Sequence, residues 1–297
     1  MATRHVTDGG LETDLIFLRG FDLPEFASFP LLDDEDGRAA LRDYYLGYAD
    51  IAVRAGAPLL LEAPTWRANP DHAAVLGYDA AALDRINRRS VDLLTGIAAE
   101  RADELVGWEV GGMLGPRGDG YASEGLVDPD EAADYHRPQL ASFAAAGASR
   151  ATVLTLTEVG EAIGISRASA DVGLPMGIGF TVETDGRLPG GTTLAEAVEA
   201  VDAVAPPAYF LVNCAHPSHV LRGLEPGVWR DRIGGLRVNA STMSHAELDE
   251  SETLDDGDPE QLALDQQPLI EAFPRLEVLG GCCGTDARHV AAMWGVS

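Results

Sequence analysis

No lysine occurs anywhere in the 297 residues, so all 21 basic side chains are arginine. Schiff-base chemistry, a pyridoxal phosphate anchor and a Walker A phosphate loop each require a lysine, and all three are excluded. Positive charge is scarce as a whole. With 21 basic against 48 acidic side chains the net charge is −27, and such a chain has nothing to neutralise a run of phosphates. No nucleic-acid partner is expected. Long apolar runs are missing as well: no stretch approaches the roughly 18 uninterrupted apolar residues that a membrane helix needs. The opening MATRHVTDGGLETDL has no apolar segment behind a basic one, so no secretory signal is read there and a cytoplasmic protein without a membrane partner is expected. Cysteine is limited to Cys214, Cys282 and Cys283. Three residues make no even disulfide framework, and two adjacent ones bridge only with strain, so reduced thiols are expected.

What is present is enough for a packed core. Hydrophobic residues make up 46% of the chain and charged ones 23%, the composition of a globular protein rather than a disordered one. Short β-rich apolar runs recur at residues 4–7, 59–62, 106–110, 152–157, 176–182, 209–213, 236–238 and 276–279. The intervening segments carry helical spacing: Ile86, Val91, Leu94 and Ile97 share one face of residues 84–99, as do Leu194, Ala197, Val198 and Val201 within 194–204. Such repeated βα units point to an α/β fold, a (β/α)8 TIM barrel, and the usual length of ~250 residues agrees. An open doubly wound sheet is the rival, but Asp8-Gly9-Gly10 after the first run is not a dinucleotide fingerprint. With no repeat, low-complexity tract or linker, one domain over 1–297 is expected. The acidic stretch Glu247 to Glu260 reads as a solvated surface loop.

In such a barrel the chemistry sits at the C-terminal ends of the strands. Asp8, Thr65, Glu158, Cys214, Asn239 and Cys282-Cys283 all fall at those ends, so every cysteine lies on the expected catalytic rim. Three thiolates from neighbouring strand ends bind zinc at ~2.3 Å and leave one tetrahedral position open; ordinary buried cysteines are the alternative reading. His216 and His219, in Cys214-Ala-His-Pro-Ser-His219, are expected to line the rim rather than to bind metal.

These residues carry a resemblance. Asp8-Gly9-Gly10, Asn213-Cys214 and Gly280-Gly-Cys-Cys-Gly-Thr-Asp286 resemble the homocysteine S-methyltransferase family. Gly115-Pro116, Tyr135-His-Arg-Pro-Gln139, Thr157-Glu158 and Pro175 to Val182 leading into Asp185-Gly-Arg-Leu-Pro189 follow in family order, so the resemblance spans the chain. It implies a barrel in which Cys214, Cys282 and Cys283 are the catalytic zinc ligands and the thiolate of homocysteine takes the open position. It further implies a substrate-binding set of Asp8, Gly9, Thr65, Glu158 and Asn213. Asp8 and Glu158 would hold the substrate ammonium and the backbone around Gly9 and Thr65 its carboxylate, while Asn213 and Asn239 orient the rim.

The small-molecule partners so implied are homocysteine and a cationic methyl donor. A sulfonium, S-methylmethionine or S-adenosylmethionine, would yield methionine. The same machinery with a betaine-like donor or a different thiol or selenol is one alternative, and a zinc- or thiol-binding protein without turnover is another. Trp66, Trp108 and Tyr121 are candidates for a cation–π face towards the donor, with plain core packing as the alternative. The chain departs from the family at Ala63-Pro-Thr-Trp-Arg67, at Met113 and at Val238-Asn239, where a Pro usually precedes the Asn. Those departures lie near the donor and substrate pocket.

Overall fold

The computed structural model describes residues 4–122 and 125–296; positions 1–3, 123–124 and 297 of the expected 1–297 domain lie outside the described residues. Eight parallel strands close on themselves in chain order, with β1 paired to both β2 and β8. They are β1 His5–Val6, β2 Leu59–Glu62, β3 Trp108–Leu114, β4 Arg150–Leu156, β5 Met176–Phe180, β6 Tyr209–Asn213, β7 Ile233–Val238 and β8 Val278–Gly281. Helices wrap the outside, among them Glu35–Ala55, Ala80–Glu100, Pro129–Ala145, Val159–Val172 and Leu194–Val204. This is the expected (β/α)8 barrel. Among the described residues no helix is long and apolar enough to cross a membrane.

Local sequence places the helix starts. Asp34, Asp79 and Asp128 each accept a hydrogen bond from a backbone N–H of the first turn they precede, and Thr193 with Glu196 forms a reciprocal capping box. Each cap satisfies donors that the helix itself leaves unpaired. The expected apolar face Ile86, Val91, Leu94 and Ile97 is buried against the barrel.

Two buried clusters divide the core. The larger fills the layer between strands and helices. The smaller contains Leu60 of β2, Leu154 of β4, Tyr209 and Leu211 of β6 and Val278 of β8. Side chains from alternate strands fill a barrel interior in layers, so this cluster plugs the barrel. Glu62 follows Leu60 by two residues and therefore also points inward, one layer nearer the C-terminal rim.

β2 and β6 match the expected runs; β3, β7 and β8 differ. The run expected at 106–110 lies at Trp108–Leu114 and that at 276–279 at Val278–Gly281, while β7 starts at Ile233 instead of 236; β1, β4 and β5 differ from their runs only by one or two residues at either end. In β3, β7 and β8 paired glycines lie inside the strand. A Cβ on Gly112 would stand 2.2 Å from Cδ2 of Phe143, and one on Gly281 would stand 1.9 Å from Oγ1 of Thr285. These glycines admit a helix and a turn to the sheet at contact distance.

The acidic stretch 247–260 is exposed or half-buried throughout and mostly loop, as expected, with a few anchors. Residues 245–249 form a short helix, and Ser241 Oγ donates to Asp255 Oδ2 at 2.5 Å. The Arg288 guanidinium bonds Asp256 Oδ2 at 2.8 Å, and His289 Nε2 bonds its carbonyl at 2.7 Å. These partners anchor a segment that stays largely solvated, and it walls one side of the barrel mouth.

Gly112→Ala is expected to cost about 1–3 kcal/mol, because the new methyl overlaps the buried Phe143 ring. Thermal unfolding followed by circular dichroism checks this, with a fall in Tm of several degrees expected.

Candidate active site

Strand ends β6 and β8 bring the cysteines together. The three Sγ atoms lie within 4.8 Å of one another, and Cys214 and Cys283 are 3.5 Å apart. A tetrahedral ion with thiolate bonds of ~2.3 Å needs sulfurs roughly 3.8 Å apart, so the cluster has the dimensions of a three-sulfur site.

Each sulfur is aimed by backbone. Cys214 has φ +54, a left-handed conformation that costs a non-glycine residue about 1–3 kcal/mol. It is held there because its N–H donates to the Arg237 carbonyl at 3.0 Å while its own carbonyl accepts from His245 Nε2 at 2.7 Å and Thr181 Oγ1 at 3.2 Å. Cys282 and Cys283 enter a tight turn in which Thr285 N and Oγ1 both return to the Cys282 carbonyl, at 3.0 and 2.7 Å. Gly284 closes the turn at φ +79, where a Cβ would meet the Asp255 carbonyl at 2.8 Å.

The polarity of the cluster follows from its neighbours. Hydrogen bonds from Cys214 and Cys283, and then the Arg237 guanidinium, hold the Cys282 thiol well below its ordinary pKa; the other two thiols, which share protons with it, are held above theirs. Tyr121 places its hydroxyl 3.2 Å from Cys214 Sγ and 3.5 Å from Cys283 Sγ. Burial and the three thiols keep that phenol protonated beside the two sulfurs. Its ring stacks on His245 at 4.4 Å. Burial presses His245 towards neutrality, yet Glu183, 2.7 Å away, and the Cys214 carbonyl raise its pKa overall.

Below the sulfurs lies a buried charge cluster that the sequence reading missed. Arg237 reaches across the barrel interior to pair with Asp8 and with Glu62, and its Nε donates to the Gly281 carbonyl at 3.0 Å. All three side chains are 3% exposed or less. Burial raises the Asp8 carboxyl to about 6, against the pull of Arg237.

Two cavities open from this floor. The inner one, about 40 Å3, is bounded by Asp8, Gly9, Glu12, Met113, Thr155, Arg237 and the cysteines. The outer one, about 360 Å3, shares Thr13, Phe26, Trp66, Tyr121 and Cys283 with it and continues past Arg67, Asp119, Asp249 and Asp255 to solvent. Glu12, also missed, lines the inner cavity; burial pushes its carboxyl to about 7, opposed by a hydrogen bond from Ser28 Oγ at 2.7 Å. Its signal was a carboxylate inside the apolar turn Leu11-Glu-Thr-Asp-Leu15.

The expected substrate-binding set is brought together only in part. Asp8 and Gly9 line the inner cavity. Thr65 does not: its N–H goes to the Ala63 carbonyl at 2.8 Å and its hydroxyl to the Met113 carbonyl at 2.7 Å, so it positions Trp66 instead. Asn213 is buried behind Thr155, accepting its N–H at 2.9 Å and donating to its hydroxyl at 3.0 Å, which fixes that residue at φ +67. Glu158 lies apart from the cysteines, in a separate cavity with Asp71, Arg117, Glu131 and Glu161, because β4 hands it straight to the helix Val159–Val172. Asn239 is buried at the rim, its N–H on the Ala215 carbonyl at 3.1 Å.

The expectation for Trp108 is corrected. Trp108 begins β3, at the opposite end of the barrel, and cannot face a donor. Trp66 and Tyr121 do line the cavities, but the Arg67 guanidinium already sits 4.2 Å from the Trp66 ring centroid. His216 caps the helix Pro217–Arg222 and His219 Nε2 lies 3.0 Å from the Thr242 carbonyl; neither lines either cavity.

The family described as homocysteine S-methyltransferase matches residues 5–295 of the chain. Among solved structures, the homocysteine methyltransferase MmuM from Escherichia coli is similar in its metallated form, with a TM-score of 0.76 and 22% identity over 99% of this chain and 96% of that one. Its oxidized form gives 0.77 and 21% over 98% and 95%, and its apo form 0.69 and 22% over 99% and 96%. At such identities the likeness carries the fold. No curated protein matches the chain.

Arg237→Met leaves Asp8 and Glu62 buried without their cation, and a loss of about 3–5 kcal/mol in denaturant unfolding is expected. A second outcome concerns pH. The folded pKa of Glu12 lies above its ordinary value, so its contribution to stability is present below about 4.5 and lost as pH rises through about 7. Relative to the parent, reduced metal-free Glu12→Gln should therefore gain stability across that window, measured by thermal melts.

Proposed function

The chain belongs to the homocysteine S-methyltransferase family, and on that premise we propose a zinc-dependent enzyme that moves a methyl group from a sulfonium donor to homocysteine, forming methionine. In this reading residues 1–297 act as one homocysteine-binding barrel domain, and S-methylmethionine and S-adenosylmethionine are the donors considered. The observation that carries it is the cluster of three Sγ atoms within 4.8 Å at the floor of an open, acid-rimmed cavity.

Cys214, Cys282 and Cys283 would hold the zinc; it would supply the Lewis acidity by which a thiol, mostly protonated at neutral pH, reacts as a thiolate. The donor set fits. Three sulfurs are soft ligands, they leave one position open, and the Tyr121 hydroxyl, with one proton to give, stands within hydrogen-bond distance of two of them.

The transfer balances simply. The acceptor sulfur loses its proton to solvent and attacks the methyl carbon. The bond from that carbon to the sulfonium breaks, and its electron pair stays on the donor sulfur as a neutral thioether. The walls favour this direction. Asp119, Asp249 and Asp255 line the outer cavity and attract a cation, while the neutral product loses that attraction on leaving. Because Arg67 occupies the Trp66 ring, these carboxylates rather than a cation–π face carry the recognition of donor charge. Phe26 and Trp66 pack edge to face at 6.4 Å and line both cavities beside the sulfurs.

Reduced, anaerobically purified protein is expected to carry about one zinc per chain and to form methionine from homocysteine with S-methylmethionine or S-adenosylmethionine but not with betaine. Elemental analysis and a product assay with each donor check both points. Cys214→Ala should lose the zinc and the turnover together. Turnover with betaine alone would replace the donor class, and zinc without turnover on any donor would favour a binding protein.

A further inference from the structure

The outer cavity is walled by three carboxylates and one cation. Asp119, Asp249 and Asp255 line it, and Arg67 is the only basic side chain among the described residues that do. Cys283 and Trp66 line it as well, so the sulfur cluster and the Arg67 guanidinium border the same space, whereas Arg67 does not reach the inner cavity. The inner cavity holds only about 40 Å3 and the outer one about 360 Å3. A donor that offers its methyl carbon to a thiolate at the sulfurs therefore keeps the rest of its body in the outer cavity, beside this guanidinium.

Arg67 is held by one nitrogen. Its Nη1 donates to the Gly118 carbonyl at 3.2 Å and lies 2.9 Å from His72 Nε2. Burial and the guanidinium itself hold His72 below its ordinary pKa, so the neutral ring accepts at Nε2, and its Nδ1 stands 3.3 Å from Glu25 Oε2. The guanidinium carbon sits 4.2 Å from the Trp66 ring centroid, which fixes its position over the indole. The edge formed by Nε and Nη2 is left over. Nε is buried without a hydrogen-bond partner, and Nη2 has none among the described residues. Arg67 forms no ion pair among them either, although it feels the charges of Asp119 and Asp249. A buried donor without an acceptor and a half-buried cation without an anion are both destabilising. A carboxylate presents two oxygens at the spacing of that edge and relieves both.

The walls select for mixed charge. A simple cation is drawn to the three aspartates and repelled by Arg67, and a simple anion meets the reverse; a molecule carrying a sulfonium and a carboxylate at separate places satisfies both. We propose that Arg67 is a specificity residue that receives the carboxylate of the methyl donor, so that the donor class is a carboxylated sulfonium rather than sulfonium compounds in general. The inference rests on the sulfonium reading proposed above and narrows it.

The test compares S-methylmethionine with its carboxamide, in which a neutral group of similar shape replaces the carboxylate. The carboxamide carries one more net positive charge, so the acidic walls by themselves favour it, and recognition by Arg67 gives the opposite order. Donor KM, kcat and calorimetric binding are read on the zinc-loaded parent, Arg67→Gln and Arg67→Lys. The parent should prefer S-methylmethionine. Arg67→Gln should raise KM and Kd for S-methylmethionine roughly 10–100-fold, the size expected for a charge-assisted bidentate contact, with kcat changed less than about threefold, and should reverse the order of the two donors. Arg67→Lys, which keeps the charge without the planar edge, should retain part of the preference. Zinc content should match the parent in both variants. Equal losses on both donors, as a mere brace for Trp66 and Gly118 would give, overturn the proposal. So does a parent that binds the carboxamide at least as tightly as S-methylmethionine, or binds neither. If the parent binds S-methylmethionine but methylates no thiol with it, the functional reading fails, and the order of binding still decides the role of Arg67.

Discussion

A single guanidinium ties the catalytic end of this barrel together. Arg237, on β7, crosses the interior to Asp8 after β1 and Glu62 at the end of β2, and its Nε holds the last carbonyl of β8. Four strands that meet where the barrel closes are thereby fixed at one point, directly beneath Cys282. One guanidinium faces two carboxylates here, and its N–H groups also reach the Gly281, Asp8 and Gly9 carbonyls. The cost of burying the cluster is visible in Asp8, whose carboxyl is lifted to about 6 in spite of its partner.

The sulfur cluster inherits its geometry from that floor. Arg237 also lends its carbonyl to the Cys214 N–H, and its positive charge favours the thiolate of Cys282. A second brace comes from the opposite side, where Glu183 and His245 hold the Cys214 carbonyl and the His245 ring supports Tyr121. Residues from β1, β6, β7 and β8 and from the short helix at 245–249 thus converge on three sulfurs. The acidic segment at the mouth completes the field: a protein of net charge −27 places Asp119, Asp249 and Asp255 around the outer cavity.

The glycines show how a local reading can mislead. Gly111-Gly112, Gly234-Gly235 and Gly280-Gly281 look like strand breakers in isolation, yet each pair lies within a strand because a neighbour approaches too closely for a side chain. The acidic run at 247–260 stays exposed or half-buried as its charge suggests, but its anchors, Ser241, Arg288 and His289, lie outside it in the chain. Charge and glycine content are local quantities; what they do depends on what packs against them.

The amino-acid sequence by itself determined the barrel and the three cysteines. Alternation of short apolar runs with amphipathic segments is a periodic signal carried by each segment alone, and strand ends follow from it, so Cys214, Cys282 and Cys283 could be placed on one rim before any contact was known. The side chains around them were decided by tertiary structure. Whether Asp8 faces a ligand or an arginine depends on a residue 229 positions later, whether Glu158 reaches the sulfurs depends on the direction in which β4 ends, and Glu12 stands out only once the cavity it lines is closed. Ion pairing and burial are properties of pairs distant in the chain, and no local pattern records them.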